Sequence, residues 1–408
     1  MSSLKKNVVS LTIVQLCVYV VPLLQFPYLT RVLGVEIFGV IAYSLSLMLL
    51  ANIITDYGLN LYLPQRIASG ENSTYKISRI FTESIIIKFF LLIITLLIFF
   101  AIIYTNSNYK GYSHYFLLFS FVIIANGFIP VWLFIGMEQL YYYSRVIITT
   151  KLISLILIYF FVKSVDDLNV FGYIYIIQAI LSLLILLLLA KKKYNIKIVY
   201  VAFEDVKCTF KISTTFFLSR ASAALYSSLC LIMLGYCSTP IQVAYYNAAE
   251  QLYKAGQQVF WPINQAIYPY MVRTKNYKLF YKVIFVALLV AVLGALFGVF
   301  WGADILELIY GKEFIAASNI LSVFMIAIVI NTLGSLMGYP ALVPIGLSKI
   351  ANNSVIIAGL FQIIVLCSIY YSGMTVIGKT IAYSVVACEL LVATIRCIGF
   401  YRGMRRQV

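Results

Sequence analysis

The stretch that decides the fold reads YLTRVLGVEIFG and covers residues 28–39. It separates two long apolar runs and carries Arg31 at the end of the first run. An apolar run of about 20 residues is long enough to cross a bilayer as a helix. The stretch therefore predicts a connection between two membrane-spanning helices, with Arg31 where the first helix reaches the membrane surface.

The composition of the whole chain indicates the same environment. Of its 408 residues, 63% are hydrophobic and 11% are charged, whereas soluble domains have about 25% charged residues. Apolar surface in this amount has to be covered by lipid. The net charge of +16 requires no nucleic-acid partner, because Lys and Arg accumulate on the cytoplasmic loops of membrane proteins.

Twelve such apolar segments follow one another, and both termini are predicted to be cytoplasmic. With the N-terminus inside, 22 Lys and Arg residues fall on the cytoplasmic side and five on the other, and this asymmetry sets the orientation. The segments, each near the ~20 residues that a bilayer requires, lie at residues 8–30, 38–60, 81–104, 113–136, 143–163, 170–190, 211–235, 241–266, 279–301, 314–336, 351–371 and 376–398.

The chain is predicted to be an all-α integral membrane protein with two lobes of six helices each. A polar connection, residues 191–210, would join an N-terminal lobe (1–190) to a C-terminal lobe (211–408). The stretch LG (33–34) followed by FGVIAY (38–43) resembles the stretch LG (234–235) followed by IQVAYY (241–246). Because each copy lies between the first and second segments of its half, we expect the lobes to be parallel repeats, with a substrate site between them.

The sequence offers little material for catalysis. His114 is the only histidine, and the seven cysteines lack a CxxC spacing. A catalytic triad, a multi-histidine metal site and a disulfide framework are therefore not expected.

The eighth segment has polar residues at helical spacing along one face. They are Asn247, Glu250, Gln251, Lys254, Gln257, Gln258 and Trp261. Lipid does not tolerate such a stripe, so it is expected to face protein or water, and a hydrated lumen is one interpretation. The other interpretation is a self-neutralised pair, because Glu250 and Lys254 are four residues apart with the acid first. The two interpretations are compatible.

Other ionisable residues also fall within or near the predicted spans. Arg220 lies about nine residues into the seventh span, close to the bilayer midplane. It would either bind an anion or form an ion pair with Glu250 or Glu389. Asp56 and Glu83 lie near the cytoplasmic face, and we expect both to reach the interface.

Four short motifs carry a resemblance to a known family. They are FPYLTRVLG at 26–34, DYGLNL at 56–61, PVWLFIG at 130–136 and NQAIYP at 264–269. In order and spacing they resemble the Wzx-type O-antigen flippases. The chain is also similar, more distantly, to the lipid II flippases and the wider multidrug/oligosaccharidyl-lipid/polysaccharide exporter superfamily.

The resemblance implies a multi-pass transporter in the bacterial inner membrane. Its cargo would be an O-antigen repeat unit on undecaprenyl pyrophosphate, moved from the cytoplasmic to the periplasmic leaflet by alternating access. Membrane lipid, an O-antigen polymerase and a chain-length regulator are the implied partners, and no cofactor is implied. Related transporters use ion gradients, which makes proton or cation coupling compatible with the resemblance.

Several residues occupy positions where related sequences carry a similar charge. Lys and Arg suit phosphate oxygens, so cations would hold the pyrophosphate, and Arg31 fits an outer gate unless it pairs with Glu36. The predicted substrate-binding residues are Arg31, Lys88, Arg220 and Lys254. The predicted lumen or coupling residues are Asp56, Asn247, Glu250, Gln257 and Glu389.

Two alternatives remain open. A cation-coupled exporter of small molecules would be expected to have an acidic or apolar lumen rather than one with several cations. An O-antigen polymerase or ligase would be expected to carry a large periplasmic loop with catalytic Arg or His residues. The longest connection here is predicted to be cytoplasmic.

Overall fold

A computed structural model describes residues 2–68, 73–373 and 375–405, with the side chains of 2–20 and 219–228 outside the description. These ranges form helices and short connections, and no β-strand occurs in them. The α-helices are α1 (Ser2–Asp56), α2 (Leu59–Ala68), α3 (Thr74–Thr105), α4 (Ser113–Phe128), α5 (Val131–Gly136), α6 (Leu140–Phe161), α7 (Leu168–Tyr194), α8 (Phe203–Cys237), α9 (Pro240–Thr274), α10 (Tyr277–Phe300), α11 (Gly302–Tyr310), α12 (Ser318–Leu336), α13 (Tyr339–Leu342), α14 (Ser348–Tyr371) and α15 (Gly378–Arg405).

The predicted connection in residues 28–39 is an interruption at one residue. Helix α1 is 55 residues long, which at ~1.5 Å per residue far exceeds the thickness of a bilayer. Gly34 divides it, with φ 76° and ψ 172°. Glycine adopts this conformation readily because it lacks a Cβ atom, so the chain passes from one helix to the next without a loop.

The chain is a multi-pass membrane protein. Nine helical segments in the described ranges are long and apolar enough to cross a membrane. Helix α9 is not among them, because the polar stripe along it lowers its apolar content. The total of twelve spans and the cytoplasmic position of both termini stay predictions.

The chain divides into two compact units, Met1–Ala224 and Leu225–Val408. In the first unit, α1 packs against α3, α4 and α6, and α7 packs against both α4 and α6. In the second unit, α12 contacts α9, α10 and α15, and α14 packs against α15. Residues 195–202, between α7 and α8, are not helical. The predicted lobe boundaries and the parallel repeat stay predictions.

The DYGLNL motif forms a tight elbow between α1 and α2. Tyr57 and Gly58 both have positive φ, 42° and 75°. The Tyr57 ring stacks on Phe210 and Phe217, with ring centroids 4.6 and 4.5 Å away. A Cβ atom at Gly58 would lie 2.7 Å from the Phe216 Cβ and 2.7 Å from the Phe217 backbone nitrogen. The N-terminal half of α8 therefore packs directly on the elbow, and only glycine fits at position 58.

The PVWLFIG motif packs on the same elbow through α5. The backbone N–H of Trp132 donates a hydrogen bond of 3.1 Å to Asn60 Oδ1. A Cβ atom at Gly136 would lie 2.8 Å from Ile67 Cδ1 and 3.2 Å from Pro64 Cα. Two motifs that are far apart in sequence therefore fix one another in the first unit.

We expect Gly58→Ala to destabilise the protein by about 1–3 kcal/mol or more, because the new methyl group meets backbone atoms at a positive φ. The midpoint of thermal unfolding of the purified protein in detergent measures the effect. Gly294→Ala is the matched control, since no atom outside the adjacent backbone of its own helix lies within 4 Å of its Cβ position. Equal midpoints for the two variants would contradict the elbow's role.

Candidate functional site

One polar cluster in the first unit centres on Lys88. Lys88 is buried on α3, and its Nζ donates a 3.0 Å hydrogen bond to the carbonyl oxygen of Ile129. That carbonyl lies at the end of α4, where a cation is favoured by the helix dipole. The Asp56 carboxylate attracts the same ammonium and accepts a 3.2 Å hydrogen bond from the Asn60 backbone. Lys88 is thus bonded within its own unit.

A second cluster in the first unit surrounds Glu83, which is completely buried. Its carboxylate accepts hydrogen bonds from Arg66 (Nη2 to Oε1, 3.1 Å) and Thr209 (2.7 Å). Arg79 lies 3.5 Å from Oε1 and also pairs with Asp205. The expectation that Glu83 reaches the interface is wrong, because burial of a charge is tolerated when several donors surround it.

The expectation for Asp56 is wrong in the same way. Its side chain is 7% exposed, at the junction of α1 and α2. The backbone of the elbow and the ammonium of Lys88 stabilise the carboxylate there. The carboxylate is therefore stable without reaching the membrane–water interface.

The polar stripe of α9 lies in the second unit. Lys254 Nζ is 2.9 Å from Glu250 Oε2, which confirms the predicted pair. Glu250 is buried, whereas the Lys254 side chain is 35% exposed. Asn247 is buried, and its Oδ1 has no hydrogen-bond partner among the described residues. Gln257 is half-buried and Trp261 is exposed. The stripe therefore becomes more exposed along the helix.

Glu389 on α15 anchors a further cluster in the second unit. Its Oε1 accepts a 3.2 Å hydrogen bond from the Tyr253 hydroxyl, and its Oε2 accepts a 3.0 Å bond from Asn331 Nδ2. Glu389 also faces a cavity of about 120 Å³, a volume that can hold several water molecules. The cavity is lined by Asn331, Gly334, Ser335, Val355, Ala358, Glu389, Val392 and Arg396.

Arg396 also lines this cavity. It is buried, and its guanidinium donates to the Gly334 carbonyl (2.7 Å) and to Ser354 Oγ (2.9 Å). The charge asymmetry of the sequence predicts Arg396 only as one of the cytoplasmic cations. Its spacing of seven residues from Glu389 puts both on one face of α15, and that spacing is the signal that could have identified it. Asn331 has no comparable signal.

The remaining predicted residues are at separate places. Arg31 is exposed. The predicted alternative partner, Glu36, accepts a 3.0 Å hydrogen bond from the Tyr112 hydroxyl. The side chain of Arg220 lies outside the described residues, so its choice between an anion and an ion pair stays open. In the described ranges, no three His, Cys, Asp or Glu side chains come together as metal ligands would.

Long apolar helices with buried, mutually bonded charges define a polytopic helical membrane protein. Its fold is similar to that of solved membrane transporters. The lipid II flippase MurJ in an inward closed conformation superposes with a TM-score of 0.72 at 14% identity, over 96% of this chain and 87% of that one. An inward-facing multidrug resistance MATE family transporter gives 0.66 at 13% identity, over 98% of each chain.

The chain belongs to the polysaccharide biosynthesis protein family, whose model matches residues 4–275. It is 33% identical to a putative O-antigen transporter of Escherichia coli (strain K12) over 269 residues, 65% of this chain and 64% of the relative. A putative O-antigen transporter of Shigella dysenteriae is 29% identical over 281 residues, 67% of this chain and 69% of the relative. The matched region thus spans about two thirds of each relative.

Tyr253→Phe is expected to lower the stability of the protein by about 1–2 kcal/mol, since it leaves a buried carboxyl group with one hydrogen-bond donor fewer. Thermal unfolding in detergent measures this loss. Tyr383→Phe is the control, because Tyr383 lies on the same helix as Glu389 and is 52% exposed. If both variants unfold at the wild-type temperature, the bond to Glu389 contributes nothing.

Proposed function

We propose that the protein is a flippase for lipid-linked O-antigen repeat units. In this proposal it moves an undecaprenyl-pyrophosphate-linked oligosaccharide from the cytoplasmic to the periplasmic leaflet of the bacterial inner membrane by alternating access. Membership of the polysaccharide biosynthesis family and the two relatives described as O-antigen transporters support it. A transporter, and not an enzyme, is the class that these relatives favour.

Lys254 is the observation that carries the proposal. Its ammonium group is partly exposed on a long helix of a membrane protein, and Glu250 holds it at 2.9 Å. An ammonium group has three donors, so it can bind a phosphate oxygen while it keeps its bond to Glu250, or exchange one for the other. Charge-assisted bonds of this kind suit a pyrophosphate.

The other predicted residues take different roles in the proposal: contact with the sugars, contact with the pyrophosphate, or positioning of helices. Asn247 and Gln257 lie on the same stripe as Lys254 and would hydrogen-bond to sugar hydroxyls. Arg31 and Arg220 are proposed as further cations for the pyrophosphate. Lys88 donates a hydrogen bond to the Ile129 carbonyl and interacts electrostatically with Asp56. We therefore assign Lys88 and Asp56 a positioning role in the first unit, without contact to the cargo.

Ion coupling is proposed to act through Glu389. This carboxyl group is buried and faces a cavity with room for water, and both features suit a group that takes up and releases a proton or a cation. An O-antigen polymerase and a chain-length regulator are the proposed partners, because they would use the repeat unit that the flippase delivers.

The alternatives receive less support. A small-molecule exporter would share the fold of the MATE-type transporter, but the family and the curated relatives concern polysaccharide and O-antigen. A polymerase would need a loop that carries its catalytic residues. Within the described ranges, the longest segment outside helices is residues 195–202.

Complementation of flippase-null strains tests the function. We expect the chain to restore O-antigen on lipopolysaccharide in at least one strain of a panel that makes different repeat units. Lys254→Ala is expected to reduce the restored O-antigen by about tenfold or more, equivalent to about 1.4 kcal/mol. Immunoblots of membranes confirm equal amounts of protein. Lys349→Ala, at an exposed lysine, is the control and should complement fully.

The two parts of the proposal fail separately. Wild-type protein that inserts but restores no O-antigen in any strain would refute the function. Full complementation by Lys254→Ala would refute the role of that lysine and leave the function standing.

A further inference from the structure

Residues 195–203, which connect α7 to the first residue of α8, form a strap on the surface of the first unit. The strap is fixed to α3 by its backbone. The N–H of Lys197 donates a 3.1 Å hydrogen bond to Ser78 Oγ, and the N–H of Val199 donates a 3.2 Å bond to Thr82 Oγ1. Both acceptor hydroxyls are buried. The strap therefore has a defined inner side and a defined outer side.

The outer side of the strap is apolar. Ile198, Tyr200 and Phe203 are 78%, 90% and 76% exposed, whereas Ile196 is buried on the inner side. The sequence predicts only a polar connection here, because its lysines dominate the average composition. Large apolar side chains that a fixed backbone holds exposed mark an interaction surface.

Positive charge surrounds this apolar surface. Residues 191–211 contain six lysines and two acidic residues, a net charge of +4, and one of the acids, Asp205, is paired with Arg79. Lys193 places its ammonium 3.7 Å from the centre of the Tyr142 ring. The exposed lysines are Lys191, Lys192, Lys193, Lys197, Lys207 and Lys211.

The position of the strap along α7 indicates what covers it. Helix α7 belongs to a segment long and apolar enough to cross a membrane, and Leu184 and Leu188 are 52% and 65% exposed on it. Lys191 follows Leu188 by three residues, a rise of only ~4.5 Å. The chain therefore leaves the apolar part of α7 directly at the depth of the lipid headgroups, and the strap starts there.

We propose that the strap lies on the bilayer surface and binds anionic phospholipids. Ile198, Tyr200 and Phe203 enter the boundary between headgroups and acyl chains, where aromatic side chains are favoured. The surrounding lysines attract the phosphate groups of anionic lipids, as basic segments next to membrane helices do. A cytoplasmic protein is less suited to this surface, because the surface continues an apolar helix at the edge of the bilayer.

Photo-crosslinking at position 200 tests the proposal on the full chain. Tyr200 is replaced by p-benzoyl-phenylalanine, and the purified protein is reconstituted in phosphatidylcholine vesicles with about one quarter phosphatidylglycerol, a lipid that carries one negative charge. Mass spectrometry of the irradiated peptide identifies what the side chain touches. The same substitution at Tyr75, which is 65% exposed at the start of α3, provides a comparison at an exposed aromatic outside the strap.

We expect phospholipid adducts at position 200, with phosphatidylglycerol enriched about twofold over its share of the vesicle. A triple variant should return the fraction of phosphatidylglycerol among the adducts to its fraction in the vesicle, while lipid adducts persist. Its substitutions are Lys192→Gln, Lys197→Gln and Lys207→Gln. The variants are compared only where they elute as monodisperse protein with unchanged helical content.

Three results would overturn the proposal. The first is the absence of lipid adducts at position 200, and the second is the same proportion of phosphatidylglycerol adducts with and without the lysines. The third is a dominant protein adduct when the photoreactive chain is irradiated in native cell membranes. Because the strap contains none of the residues proposed for transport, each of these results leaves the proposed function untouched.

Discussion

The structure depends on one electrostatic constraint: a charge inside a membrane protein must have bonding partners inside as well. Glu83 is completely buried and binds Arg66, Arg79 and Thr209. These partners come from α2, α3 and α8, so a single carboxylate fixes three helices of the first unit. Lipid is as apolar as the helix surfaces, so apolar contacts alone select partners weakly. Polar contacts of this kind specify which helices meet.

In the second unit, the buried charges of α15 also have bonding partners on other helices, but these partners are neutral groups. Glu389 binds Tyr253 of α9 and Asn331 of α12 from its own helix α15, and Arg396 joins α15 to the carbonyl of Gly334 and to Ser354. The family match ends at residue 275, directly after α9. The stripe with Lys254 lies within the matched region, whereas Glu389 lies beyond it and connects to that region through Tyr253.

Local patterns predicted the parts of the site that depend on one helix. The spacing of Glu250 and Lys254 predicts their ion pair, because residues four apart on a helix are neighbours. The long apolar runs predict membrane helices, since their length matches a bilayer. Partners from distant segments were not predictable. Thr209 follows Glu83 by 126 residues, and only tertiary packing brings them together. The apolar outer side of the strap was not predictable for the same reason, because its contacts with α3 determine which strap residues point inward.

The central claim is that the protein carries a lipid-linked oligosaccharide across a bilayer, and reconstitution tests it most directly. Purified protein is placed in liposomes with a fluorescent oligosaccharide on undecaprenyl pyrophosphate, and a membrane-impermeant reagent reports how much cargo remains on the outer leaflet over time. The account predicts that cargo crosses at a rate that rises with the amount of protein, and that a matched lipid without the pyrophosphate crosses much more slowly. Cargo that stays in its leaflet, or lipids that cross equally well with and without the pyrophosphate, would contradict it.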